Sequence, residues 1–295
     1  MKSFLQGRQQ KMKSFKEIEN KYSKVLDEVE TAVRKLLDTI DIQEIAKYNV
    51  GLSIYGQFRY EYFIQREKRR FLLTLDEVNQ SKMAASVCDL GCFIPYLPIA
   101  LSLTGHKVKI VDKYSMYSQS FKDNIRRISD DYDIEVHDLD ILYDDIGQLE
   151  SVDVVLLMAV LEHLNGSPKR LMESIRSIMR PDALLFSEIP NIAEFSKRIR
   201  MLFGHSPLPK YKDYFYSKYP YAGHNREMTV EEVRFLFETC GFHIMSLLCY
   251  DYSEHRTGTL ASSLVRLLKR VAPLRHKGEV IWVKCRFDLS YRFEG

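Results

Sequence analysis

From Ser86 onward, short runs of Val, Ile and Leu alternate with segments whose apolar residues recur every three or four positions, and this limits the chain to few architectures. SVCDL (86–90), KVKIVD (107–112), IEVHD (134–138), VDVVLLMAV (152–160) and ALLFSEIP (183–190) read as five strands. Helices are expected at 97–103, 117–128, 168–179 and 230–240, the last stopped by Gly241. HIMSLLCY (243–250) and GEVIWVKCRF (278–287) complete seven strands. Strands that are apolar almost throughout have no face for water, so the fold class is α/β, a mostly parallel sheet with helices on both faces.

Residues 87–112 carry the most chemistry. The first strand runs into Asp89 and a turn at Gly91, a helix follows, and the second strand ends on Asp112, 21 residues past the glycine. A glycine beyond a strand end lets backbone approach a ligand, the next helix aims free N–H groups at it, and an acid about 20 residues on can grip ribose hydroxyls. That order suits a nucleotide-type ligand. Phe93 and Pro95 stand where such loops usually carry further glycines, so the turn is bulkier and lacks one N–H donor.

The first 80 residues differ in kind. Ile18, Tyr22, Val25, Val29, Ala32 and Leu36 form one helical stripe, which either packs on the main domain or pairs two subunits in a short coiled coil, leaving a homodimer possible. A second amphipathic segment, 55–75, sets Phe58, Tyr62, Phe63 and Phe71 among Arg59, Arg66, Lys68, Arg69 and Arg70, and reads as a solvated face over a buried one. The expected organisation is an N-terminal helical region, 1–80, and a domain at 81–295. Inserts interrupt that domain at 193–228, a Pro-bounded aromatic and basic lid or substrate loop, and at 253–278. The second insert places Leu260, Leu264, Leu267, Leu268 and Val271 beside Arg266, Lys269, Arg270, Arg275 and Lys277. This basic amphipathic helix either docks on the protein or touches a membrane surface or partner.

A net charge of +3 gives no electrostatic case for nucleic acid. The five cysteines form no CxxC pair and three sit in apolar runs, which fits free thiols in a reducing compartment. No apolar run is long enough to span a bilayer and the N-terminus lacks an apolar signal core, so a cytoplasmic protein is expected.

Three blocks in combination, VCDLGCF with GHKVKIVD, then VDVVLLMAVLEHLNGSPKRLMESIRSIMRPDALLFSEIPN, then GHNREMTVEEVRFLFETCGF, resemble the S-adenosylmethionine-dependent methyltransferases of the Rossmann-like, seven-stranded type. The resemblance implies S-adenosylmethionine as cofactor, with Asp89 and Gly91 at its methionine portion and Cys92 and Phe93 in the same loop. It also implies Asp112 at the ribose, Asp138 (with Asp140 second) at the adenine, and Ala159, Val160, Leu161 and Glu162 on the methyl-donor side. For hydroxyl acceptors a base must take a proton, and His163 and His224 are the candidates, with His205 behind them. Some relatives hold a divalent metal with an ExxEH step; here the step is AVLEH, Ala159 replaces one carboxylate, and no tightly bound metal is expected.

The expected function is methyl transfer to an oxygen, less readily a nitrogen, of a small-molecule or glycan-type acceptor. The competing class is a non-catalytic scaffold or partner-binding protein that kept the sheet and lost the loop, with Phe93, Pro95 and Ala159 as its supporting features. A nucleic-acid methyltransferase is a third reading, resting on the basic aromatic segment.

Overall fold

Which helices cover which face is decided by the two-residue period of the strands. The computed structural model describes residues 14–40, 60–81, 85–217, 221, 223–252, 268, 269, 271 and 273–287. Seven strands are formed: β1 (Ser86–Leu90), β2 (Lys107–Asp112), β3 (Ile134–Asp138), β4 (Val152–Met158), β5 (Met179–Pro190), β6 (Phe242–Tyr250) and β7 (Val280–Phe287). Their spatial order is β3-β2-β1-β4-β5-β7-β6. The pairs from β3 to β5 are parallel, whereas β7 runs antiparallel to both β5 and β6. The order reverses between β1 and β4, and ligands of open parallel sheets bind outside the strand carboxyl ends at such a reversal.

Val87, Ile110, Val154, Leu156 and Phe186 turn to one core; Cys88, Val111, Val155, Leu157 and Leu185 turn to the other. The first face is covered by α1 (Phe15–Lys21), α2 (Ser23–Leu37), α3 (Tyr60–Ser81), α4 (Tyr96–Leu103) and α5 (Gln119–Asp131). The second carries α6 (Lys169–Ser177) and α9 (Val230–Thr239), while the insert after β5 forms α7 (Phe195–Leu202) and α8 (Tyr211–Phe215).

The N-terminal stripe is spent on the domain. Ile18, Tyr22, Val29, Ala32 and Leu36 are buried and Val25 is partly buried in the first core, where α2 lies against α3, α4 and α5. Ser14 and Glu17 close a capping box at the start of α1. In α3 the cations turn to carboxylates: Lys68 bridges Glu19 and Glu30 at 3.0 and 2.8 Å, and Arg66 meets Glu67 at 3.1 Å. Residues 55–59 of that expected segment lie outside the described residues.

Several boundaries differ from expectation for local reasons. β4 stops at Met158, because Ala159 adopts φ +55° and turns the chain out of the sheet. β5 starts at Met179, which pairs with Val152 across a bulge, so the preceding helix ends two residues sooner. α5 begins after Ser118, whose hydroxyl accepts the Phe121 N–H, leaving Tyr117 extended. Most of the second insert, including Leu260, Leu264, Arg266 and Leu267, lies outside the described residues; within them Leu268 and Val271 are exposed and Lys269 pairs with Asp251. All five cysteines are free thiols, and four are buried. No helix among the described residues is long and apolar enough to cross a membrane.

Candidate functional site

A cleft of about 270 Å³ opens at the carboxyl ends of β1, β4 and β5, with α3 as its outer wall. Its floor is the turn after β1. Gly91 has φ +77° and donates its N–H to Val111 at 2.8 Å. A Cβ at this position would stand 2.5 Å from Val160 Cγ2, so only glycine fits both the dihedral and the space. The two departures from a glycine-rich loop are absorbed by packing. Phe93 lies over Phe121 at 5.5 Å and against Tyr117 at 5.6 Å, and it still lines the cleft. Pro95 takes the N-cap position of α4 with φ −79°, where a missing N–H costs nothing. The main chain of Cys92 is fixed by the Tyr114 hydroxyl, which donates to its carbonyl.

The acids divide into two groups. Asp89 is buried on the cleft lining; desolvation pushes its carboxyl up to about 7, opposed by a hydrogen bond with Cys92. Burial likewise pushes Asp112 up to about 7, opposed by the Lys113 N–H at 2.7 Å. Asp138 pairs with Asp112 in the β2–β3 register, and burial works against its charge as well. The ammonium of Lys122 and the Ser115 N–H at 2.8 Å outweigh that and hold it below the usual carboxylate range. Asp140 is bound to Lys113 at 2.9 Å and caps its own turn through the Leu142 N–H. Asp112 and Asp138 thus stand together on the strand ends beside the cleft, not on its lining.

The far side is built by the segment after β4. Ala159, held in the left-handed region, donates its N–H to Glu188 at 2.8 Å, and the chain then tightens into a single turn at Leu161–His163. Val160 is buried beneath Gly91, while Ala159, Glu162 and His163 reach the cleft. The loop before α9 is stitched onto this turn. The Glu162 carbonyl accepts the N–H groups of Asn225 and Arg226 at 2.6 and 3.2 Å, and the Asn225 amide donates to the His163 carbonyl at 3.0 Å. That seam brings His224 edge-on to His163, ring centroids 5.1 Å apart. Glu162 is fully buried, and desolvation pushes its carboxyl up to about 7. His205, the third histidine considered, is exposed and absent from the cleft.

One group was hidden in the sequence pattern. Arg70 donates to Glu188 at 2.5 Å and also contacts Glu67 at 3.4 Å, and Tyr250 donates its hydroxyl to Glu188 at 2.7 Å. Burial disfavours the ionised Glu188, raising its pKa against the pull of Arg70. Arg70, Glu67 and Glu188 all line the cleft. Phe63, Glu67, Arg70, Thr74 and Val78 follow steps of four, three, four and four, so this arginine lies in phase with the buried face of α3. The basic run around it masked that phase.

The chemistry offered is a narrow cleft with a glycine turn at its floor, lined by the carboxyl groups of Asp89 and Glu162, by Arg70 with its partner Glu188, and by two histidines. That donor set fits a zwitterionic sulfonium ligand, and at Gly91 the space a Cβ would need is filled by Val160, which holds the floor of the cleft against the segment after β4. A family model described as a methyltransferase domain matches residues 57–247. Among solved structures, a chain of the complex with the Haloferax volcanii Trm112 methyltransferase activator superposes with TM-score 0.54 at 15% identity, covering 77% of this chain and 92% of that one. Magnesium protoporphyrin IX methyltransferase from Synechocystis PCC 6803, solved with bound S-adenosylhomocysteine, gives TM-score 0.50 at 14% identity, covering 84% and 99%. These likenesses concern the fold. A search of curated protein sequences finds no match. With the matched region covering most of the chain, the protein belongs to the methyltransferase-domain family in its class I, seven-stranded form, whose cofactor is S-adenosylmethionine.

Proposed function

We propose that the protein transfers a methyl group from S-adenosylmethionine to an oxygen of a small-molecule or glycan-type acceptor. The observation that carries this reading is the convergence, on one cleft, of the Gly91 turn and the Glu162, His163 and His224 group. S-adenosylmethionine supplies a methyl already activated on a sulfonium, so the protein must place, desolvate and deprotonate.

In this reading Gly91, Cys92 and Phe93 give the methionine portion a surface to lie on, and Asp89 faces its cationic groups. Arg70, which lines the same cleft, faces its carboxylate. Asp112 takes the ribose hydroxyls and Asp138 the adenine edge. Ala159 and Glu162 form the methyl-donor wall, and Val160, expected there from the sequence, backs it by packing under Gly91. The acceptor enters from the side of His163 and His224, and its proton leaves through that polar group. Phe203, Tyr211, Phe215 and Tyr216, exposed on the first insert, offer flat faces of the kind that stack on sugar rings. Free thiols and the charge balance fit a cytoplasmic setting without nucleic acid as substrate.

Calorimetry with S-adenosylmethionine tests the donor half: binding heat is expected, strongly reduced in Asp112→Ala and less in Asp138→Ala, whose carboxylate is already engaged by Lys122. Formation of S-adenosylhomocysteine across a panel of hydroxylated acceptors tests the other half. Absence of cofactor heat in the intact chain overturns the reading.

A further inference from the structure

We propose that Glu162, His163 and His224 form a binding site for one divalent transition-metal cation at the acceptor end of the cleft. Their ligand atoms already lie within 4.8 Å of one another. Atoms bound to one cation at about 2.1 Å stand roughly 3 to 3.5 Å apart, so small rotations of two imidazoles that are not buried close the site.

Three independent features point to a ligand. Glu162 is fully buried, yet neither carboxylate oxygen receives a hydrogen bond from any other residue. Such a group costs free energy unless something positive completes it, and the His163 ring nitrogen is 4.0 Å away, too far to do so. Second, both imidazoles are oriented from behind. His163 Nδ1 lies 3.2 Å from the Gly223 carbonyl and His224 Nδ1 lies 2.9 Å from the Glu227 carboxylate. Carbonyl and carboxylate only accept, so each Nδ1 carries a proton, and Nε2 is the nitrogen of each ring that a cation would take. Metal-binding histidines are held in this way, one nitrogen donating to an oxygen acceptor and the other turned to the cation. Third, that outer shell is itself anchored: Glu227 is buried and also takes the Lys197 ammonium.

Two imidazoles and one carboxylate select the cation class. Mg²⁺ and Ca²⁺ require a shell of oxygens, whereas Zn²⁺, Co²⁺, Mn²⁺ and Fe²⁺ accept this mixed set and keep at least one position for water or another oxygen ligand. Counting ligands within Ala159–His163 alone argued against a metal, but the fold adds His224 from the loop before α9. The site stands on its own geometry; only its use in methyl transfer rests on the reading above, where an open position would bind the acceptor hydroxyl, make it more acidic and let its proton pass to water, His163 and His224 then serving as ligands and not as bases.

The test uses the full chain stripped with a chelator and titrated with Co²⁺, followed by its visible absorption, and with Zn²⁺ by calorimetry. One equivalent is expected. Glu162→Gln, His163→Ala and His224→Ala should abolish the absorption band, and Glu227→Gln should weaken affinity by about 10- to 100-fold. His205→Ala, in an exposed loop, should change neither. Circular dichroism confirms folding of each variant. No band in the intact chain, or a band unchanged in folded His224→Ala and Glu162→Gln, overturns the proposal. S-adenosylmethionine calorimetry on the same samples separates the two readings: metal without cofactor heat leaves the site and removes methyl transfer, and the reverse removes the site.

Discussion

Gly91→Ala strains the turn after β1 in two separable ways. At φ +77° an alanine pays about 1–2 kcal/mol for the left-handed region. Its Cβ also meets Val160 Cγ2 at 2.5 Å, and because Val160 is buried it cannot swing away. Overpacking of this kind costs about 1–3 kcal/mol. Together they give roughly 2–5 kcal/mol, or a fall in Tm of about 4–20 °C at some 2–4 °C per kcal/mol. Val160→Ala removes both γ-carbons, so in the double variant the clash disappears and only the backbone strain remains. A double-mutant cycle by urea unfolding should therefore show a favourable coupling of about 1–3 kcal/mol. Gly91→Ala within about 0.5 kcal/mol of the parent chain, or single effects that add within that margin, would refute the proposed contact between turn and wall.

Asp89, which is buried, and Asp112, which is partly buried, set opposite pH trends for stability and for cofactor. Both are pushed up to about 7, Asp89 facing Cys92, Asp112 and Arg70, and Asp112 facing Lys113, Asp138 and Asp140. The folded chain therefore binds more protons than the unfolded chain between about pH 4 and pH 7, and Tm of the unliganded protein should fall as pH rises through that window. In the proposed site a cationic cofactor favours the ionised acids, so its affinity should rise through the same window by up to about tenfold per pH unit for each proton displaced. Two flat profiles would contradict the burial described. Arg70→Met, which leaves Glu188 buried beside an apolar chain, should cost about 3–5 kcal/mol, whereas pairing it with Glu188→Leu should recover part of the loss. Equal loss in single and double variants, measured by urea unfolding, would show that the ion pair is not what those residues contribute.

What could be read in advance was what repeats locally. The strands from Val87 to Cys285 announce themselves because a strand buried on both faces must be apolar at consecutive positions, and Gly91 and Asp112 lie at fixed distances along one β-α-β unit. The Ala159 conformation was not legible, since alanine gives no sign of a left-handed dihedral and only the pull of Glu188 on its N–H reveals it. Arg70 was readable in principle from its phase with Phe63 and Val78, but its basic neighbours argued for solvent. His224 was singled out for its residue type, while its place beside Glu162 depends on main-chain bonds between segments far apart in the chain.

The reversal of β7 governs more than hydrogen bonding. Pro190 at the end of β5 and Tyr250 at the end of β6 both pair with Val280 at the start of β7, so all three chain ends leave the sheet on the side of the cleft. The described stretches 193–217 and 273–279 therefore leave the sheet at that same mouth. Lengthening a surface loop costs little, about 0.6 kcal/mol per doubling, while altering a strand exposes core. Turning one strand around thus concentrates the tolerated changes of length at the mouth where the proposed acceptor would enter, so the acceptor side can diverge while the floor at Gly91 stays as it is.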